Sequence, residues 1–206
     1  MEKEFTEVYC GGGKGKTTLA IGQCLRASAQ GKSVIIIQFL KGRERRELDF
    51  LEELDNLDIK IFRFEKHDEC YEELNEEEKA EEKTNILNAL NFARKVIATQ
   101  ECDFLLLDEI LGLLDYGITT EEAIGDILKM KDESMHILIT GRTLPDSLRK
   151  YADSIEEDAA RLVTQVRARA FKDNPEKATR TVAQLKGFLY NMHLLIQQEW
   201  FVLLKN

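Results

Sequence analysis

Two prolines, one tryptophan and three histidines are all the chain holds of those residues among 206. With proline only at Pro145 and Pro175, no Pro-rich linker divides it, and no low-complexity segment or internal repeat is visible. The four cysteines, Cys10, Cys24, Cys70 and Cys102, form no C-x-x-C, and His67, His136 and His193 are scattered. Neither a disulfide framework nor a zinc site is therefore expected. Apolar runs such as Phe104–Leu107 are far below a membrane span. The opening Met1-Glu2-Lys3-Glu4-Phe5 lacks the apolar stretch of a secretory signal, so a cytoplasmic location without a membrane span is expected. Positive charge is short as well. Lysine and arginine total 29 against 38 aspartates and glutamates, a net −9, which speaks against nucleic acid as a partner.

What is present suffices for a globular body, since 43% of the residues are hydrophobic. Charge is unevenly placed. Residues 159–206 hold eight bases and three acids, a local +5, which leaves 21 bases and 35 acids, a local −14, in residues 1–158. The expected organisation is an acidic body over 1–158 and a basic tail over 159–206.

In the body, short β-branched or aromatic runs alternate with helical patterns. Strands are expected at Phe5–Tyr9, Ser33–Phe39, Ile59–Phe64, Phe104–Asp108, His136–Thr140 and, more weakly, Asp153–Glu156. Helices are expected near Lys16–Ala29, Glu44–Leu54, Glu76–Thr99, Thr120–Met130 and Asp146–Tyr151. Thr119 with Glu122 reads as a capping box, and Thr143 with Pro145 suits a helix start. Continuous apolar runs such as Val34-Ile35-Ile36-Ile37 fit parallel strands covered on both faces. The pattern predicts an α/β fold, a doubly wound and mostly parallel sheet of the P-loop NTPase type, with a C-terminal helical appendage. Ligands of such sheets sit at the carboxyl ends of the strands.

The segment Gly11-Gly12-Gly13-Lys14-Gly15-Lys16-Thr17-Thr18 leaves a strand and opens a helix. Glycines allow a tight turn that aims several N–H groups at one point, and the helix start adds its positive end. Lys16 supplies a cation and the Thr17 hydroxyl a magnesium ligand. Together these make a polyphosphate cradle. The usual spacing wants glycine at position 10, where Cys10 stands, so the loop is one residue short and carries an extra cation at Lys14.

Phe104-Leu105-Leu106-Leu107-Asp108-Glu109 ends a buried strand in acids, and either Asp108 or Glu109 suits magnesium. Lys41 and Arg142 follow two other strands and fall on the same rim, placed to neutralise phosphate charge. The segment Glu65–Lys83 holds ten acids and three bases, and reads as a solvated loop leading into an acidic helix start. A lid over the site, presenting Tyr71 as an apolar surface, is its functional alternative. Cys10 beside the loop reads as a small packing residue, with redox sensitivity the other reading.

Taken in order, GGGKGKTT at Gly11–Thr18, QFLKG at Gln38–Gly42, LDEIL at Leu107–Leu111 and ITGR at Ile139–Arg142 resemble the P-loop ATP:corrinoid adenosyltransferases. The resemblance covers roughly residues 4–156. It implies that a corrinoid reduced to Co(I) attacks the 5′ carbon of ATP, forming a cobalt–carbon bond while the whole triphosphate leaves. It also implies ATP held in a reversed sense, so that this carbon faces the corrinoid. Lys14, Lys16 and Arg142 would stabilise the leaving triphosphate, and Thr17 with Asp108 or Glu109 would hold Mg2+. Lys41 would lie against ATP, and Tyr71 against the corrinoid, where the family commonly places Phe and Trp. A homodimer and a flavoprotein reductant are further implied. The family's basic-aromatic closing segment has no match after Ile155, and the sole tryptophan, Trp200, lies far from Tyr71.

The tail shows apolar residues at helical spacing, with Asp173-Asn174-Pro175-Glu176 as a break and restart. Either a helical hairpin packed on its own sheet or a dimer- or partner-binding arm follows from so apolar an end. Two other functions share these features: a P-loop ATPase or small-molecule kinase, and a non-catalytic nucleotide-binding scaffold whose tail carries a partner.

Overall fold

The structure, a computed structural model, describes residues 6–12, 15–40, 51, 57–131 and 134–157. The chain divides into two units, Met1–Leu162 and Val163–Asn206, and every described residue belongs to the first. The helices expected in the tail and over Glu44–Leu54 lie outside the described residues, apart from Leu51, which is buried.

Six strands form one sheet: β1 (Thr6–Tyr9), β2 (Val34–Gln38), β3 (Ile59–Arg63), β4 (Phe104–Asp108), β5 (His136–Thr140) and β6 (Ser154–Glu156). Their order is β3-β2-β4-β5-β1-β6, and all neighbouring pairs run parallel. β2 and β4 are buried along their whole length, as their unbroken apolar sequences require. Alternate residues feed two cores. Val34, Ile36, Phe104, Leu106 and Leu138 pack with Ala20, Cys24 and Ala27 of α1 (Lys16–Ala29). Ile35, Ile37, Leu105, Leu107, Ile137 and Ile139 pack with α2 (Glu76–Thr99) and α4 (Glu121–Lys129) on the opposite face. Each large aliphatic side chain buried this way contributes about 1.5–3 kcal/mol. The expected doubly wound α/β sheet is thus present. From β1 the chain passes through α1 to β2, beyond β4 and β5, and this reversal of direction opens a crevice at the carboxyl ends.

Helix bounds agree at α1 and α2, and differ elsewhere for local reasons. α3 (Gly112–Asp115) was not expected; it has four residues and follows Glu109, whose φ is 65°. The cap of α4 is Thr120, which accepts from the Ala123 N–H at 3.2 Å, one residue later than the Thr119 box. α5 (Asp146–Arg149) is shorter than expected, with Pro145 at the cap.

The acidic segment departs from the solvated reading in two places. Glu82 on α2 is only 2% exposed and accepts from the Lys66 N–H at 3.0 Å. Burial pushes the Glu65 carboxyl up to about 7, despite N–H groups from Glu65, Phe64 and Leu40. Glu82 thus ties the chain leaving β3 to the helix, while Glu65 accepts from backbone N–H groups of its own segment and of Leu40. Among the described residues, no helix is long and apolar enough to cross a membrane.

Candidate active site

The glycine loop is clamped between the ends of three strands. The Cys10 N–H donates to Glu156 O at 3.0 Å, the Gly11 N–H to Arg142 O at 2.8 Å, and the Gly141 N–H to Tyr9 O at 3.2 Å. Gly11 has φ 107°, and a Cβ there would stand 2.1 Å from Glu157 O, so only glycine fits. Gly15, with φ 121°, turns the chain into α1, whose first turn holds no acid. The positive end of the helix thus faces the loop with no acid of its own first turn beside it. Lys16 lies across the loop, with Nζ donating to Gly11 O at 2.8 Å and its stem buried. Gly12 and Thr18 are exposed beside it, whereas Gly13 and Lys14 lie outside the described residues. The Cys10 thiol is buried, and burial pushes it up, which disfavours the reactive thiolate and fits the packing reading.

Beside the loop runs a row of polar side chains, one from each of four strand ends. Gln38 pairs in register with Arg63 and with Asp108, and the chain continues to Thr140. Asp108 Oδ1 accepts from the Thr17 hydroxyl at 3.0 Å and from the Thr140 hydroxyl at 2.8 Å. Its Oδ2 accepts from Gln38 Nε2 at 3.1 Å, and Gln38 Oε1 in turn accepts from Arg63 Nε at 3.0 Å. Asp108 and Thr140 are fully buried, and Gln38 is 3% exposed. The Glu109 N–H donates to Thr140 Oγ1 at 2.8 Å, and its side chain lies near Gly112. Leu40 and Glu109, just after β2 and β4, are both left-handed without being glycine, a strain of roughly 1–2 kcal/mol each that the packed rim sustains.

Which acid faces α1 follows from strand alternation, a signal available in the sequence. Asp108 shares parity with Phe104 and Leu106, the residues packed with α1, where Thr17 sits. Gln38 shares the parity of Val34 and Ile36 for the same reason.

Along the rim, the Arg142 backbone holds the loop while its side chain is exposed. Tyr71 stacks at a tilt on Tyr116, ring centroids 5.1 Å apart, and packs partly on the core. The Tyr116 hydroxyl donates to Glu72, and desolvation together with that carboxylate pushes the phenol up to about 12, while Arg142 pulls against the shift. The two rings border a cavity of about 500 Å3 also lined by Glu72, Glu76, Lys79 and Lys83. Tyr116 was not singled out from the sequence, because 45 residues separate it from Tyr71 and no spacing rule joins them. Lys41 lies outside the described residues.

Residues 2–200 match the profile of the family described as ATP:corrinoid adenosyltransferase BtuR/CobO/CobP. The match runs past residue 156, where the resemblance read from the sequence ends. A corrinoid adenosyltransferase of Escherichia coli (strain K12) is 26% identical over 156 residues, covering 76% of this chain and 76% of that one. Corrinoid adenosyltransferase CobA of Salmonella typhimurium (strain LT2) aligns with the same identity and coverage. A corrinoid adenosyltransferase of Sinorhizobium sp is 30% identical over 164 residues, 76% of this chain and 72% of that one.

Proposed function

The chain belongs to the ATP:corrinoid adenosyltransferase family BtuR/CobO/CobP, and we propose that the residues gathered at this sheet edge carry out the family's reaction. The 5′-deoxyadenosyl group of ATP passes to the Co(I) of a corrinoid. The cobalt–carbon bond forms as the bond from C5′ to oxygen breaks, and the electron pair leaves on the triphosphate. Because Co(I) is itself the nucleophile, no side-chain base is required. The protein binds the leaving group, aligns the two substrates and excludes water.

The contact that carries the site assignment is Thr17 Oγ1 to Asp108 Oδ1 at 3.0 Å, beside the ammonium of Lys16. N–H groups from Gly12 to Thr18, with Lys14 and Lys16, grip the triphosphate, and Arg142 and Lys41 neutralise it from the rim. The Thr17 hydroxyl and the Asp108 carboxylate are hard oxygen donors and suit Mg2+, with Glu109 next to them. When bound, the ion supplies Lewis-acid withdrawal of charge from the triphosphate. Tyr71 and Tyr116 form an apolar wall for the corrinoid, supported by the stacking of the two rings above the cavity.

Further parts of the proposal are a division into body 1–158 and tail 159–206, a homodimer, a flavoprotein reductant and a cytoplasmic location. The charge partition supports the first, and the resemblance to the family the others. The test mixes the chain with ATP, Mg2+ and chemically reduced cobalamin. The expected result is the visible spectrum of an alkylated corrinoid that reverts on exposure to light. A spectrum unchanged from the control without protein overturns the reading.

A further inference from the structure

We propose that Gln38 and Arg63 are positioning residues that orient the Asp108 carboxylate for the metal bound with ATP; this rests on the site reading above. An ionised carboxylate can only accept hydrogen bonds, and a guanidinium can only donate them. Gln38 stands between the two, with Oε1 on Arg63 Nε at 3.0 Å and Nε2 on Asp108 Oδ2 at 3.1 Å. Its amide therefore has one satisfactory orientation. Flipped, it would set oxygen against carboxylate and NH2 against guanidinium. Arg63 thus fixes Gln38, and Gln38 fixes the oxygen of Asp108 that the Thr17 and Thr140 hydroxyls do not take.

The sheet explains why these residues meet. Arg63, Gln38 and Asp108 end β3, β2 and β4 in direct register, on the face that packs with α1. Gln38 and Asp108 are almost wholly buried, so the row is held by the fold and cannot drift with solvent. Hydrogen bonds to a metal-binding carboxylate set its orientation and its basicity, and their loss typically weakens the metal by about 10- to 100-fold. Arg63 ends the strand β3, after which the chain continues to Tyr71.

The test uses the full chain and reads how much Mn2+, standing in for Mg2+, tightens ATP binding by calorimetry. The Mn2+ electron paramagnetic resonance line shape in the complex gives a second readout. Gln38→Glu replaces the donating nitrogen with an oxygen at nearly constant shape. It should cut the tightening by about tenfold or more, while metal-free ATP affinity stays within about twofold. Arg63→Met, which acts even where Gln38→Glu prevents folding, should cut it in the same direction, and Arg63→Lys should recover part. A general structural defect would instead weaken binding with and without metal alike. Variants that keep the wild-type tightening, or that lose both affinities together, overturn the role of Gln38 and Arg63 alone. Wild-type protein whose ATP binding ignores Mn2+ overturns the metal-site reading as well.

Discussion

Lys16 answers for the cradle more than any other side chain, since its ammonium already lies across the loop on Gly11 O. Loss of a charged hydrogen bond to phosphate is worth about 1.5–3 kcal/mol, so Lys16→Ala should weaken ATP binding by roughly 10- to 100-fold in calorimetry. Unchanged affinity would remove Lys16 from the site. Tyr71 and Tyr116 make a different prediction. If their stacked rings serve to present a corrinoid that is easier to reduce, Tyr71→Ala and Tyr116→Ala should impair turnover of Co(II) corrinoid more than of chemically reduced Co(I) corrinoid. Equal losses in the two assays would deny them that role. The sequence exposed Lys16 and Asp108 because glycine spacing and an acid ending an apolar run are local patterns. Tyr116 and the Arg63–Gln38 contact were hidden, because both depend on which strands become neighbours.

Strand and helix ends carry most of the remaining information. Gly15 before α1, and Gln30 with Gly31 after it, punctuate that helix, so its bounds could be read residue by residue. α3 has four residues, too few for any periodicity, and it depends on the left-handed turn at Glu109. The start of α2 is a true capping box: Asn75 Oδ1 accepts from the Glu77 and Glu78 N–H groups at 3.0 Å, and Glu78 reaches back to the Asn75 N–H. Asn75→Ala should cost about 1 kcal/mol, a fall of roughly 2–4 °C in melting temperature by calorimetry. No change would place that turn outside the cooperative fold. Glu65, between β3 and α2, gives a pH dependence. Its carboxyl is raised to about 7 when folded, so the unfolded chain releases that proton first as pH climbs. Its contribution to stability is therefore neutral below about pH 4 and becomes unfavourable as pH rises towards 7. Glu65→Gln, which keeps an acceptor for the neighbouring N–H groups, should raise the melting temperature at pH 8 relative to wild type and do so much less at pH 4.5. An equal effect at both pH values would contradict the buried-acid account.

Across the body as a whole, six parallel strands bring the cradle, the polar row and the two tyrosines to one edge, although up to 131 residues separate Gly11 from Arg142 in sequence. The order β3-β2-β4-β5-β1-β6 was not legible, because hydrophobic runs announce strands without announcing their neighbours. That they would run mostly parallel was legible, through unbroken apolar runs such as Val34–Ile37. The one-residue-short loop and the ordered motif series point to this family, while a P-loop ATPase or small-molecule kinase shares the same features. What distinguishes the chemistry is the atom of ATP that meets the attacker: the 5′ carbon, or the terminal phosphorus. Phosphorus-31 magnetic resonance of a reaction containing ATP, Mg2+ and reduced cobalamin reads this from the products. Intact inorganic triphosphate, appearing in step with the alkylated corrinoid, is the result expected here; ADP with orthophosphate or a phosphorylated acceptor would contradict it.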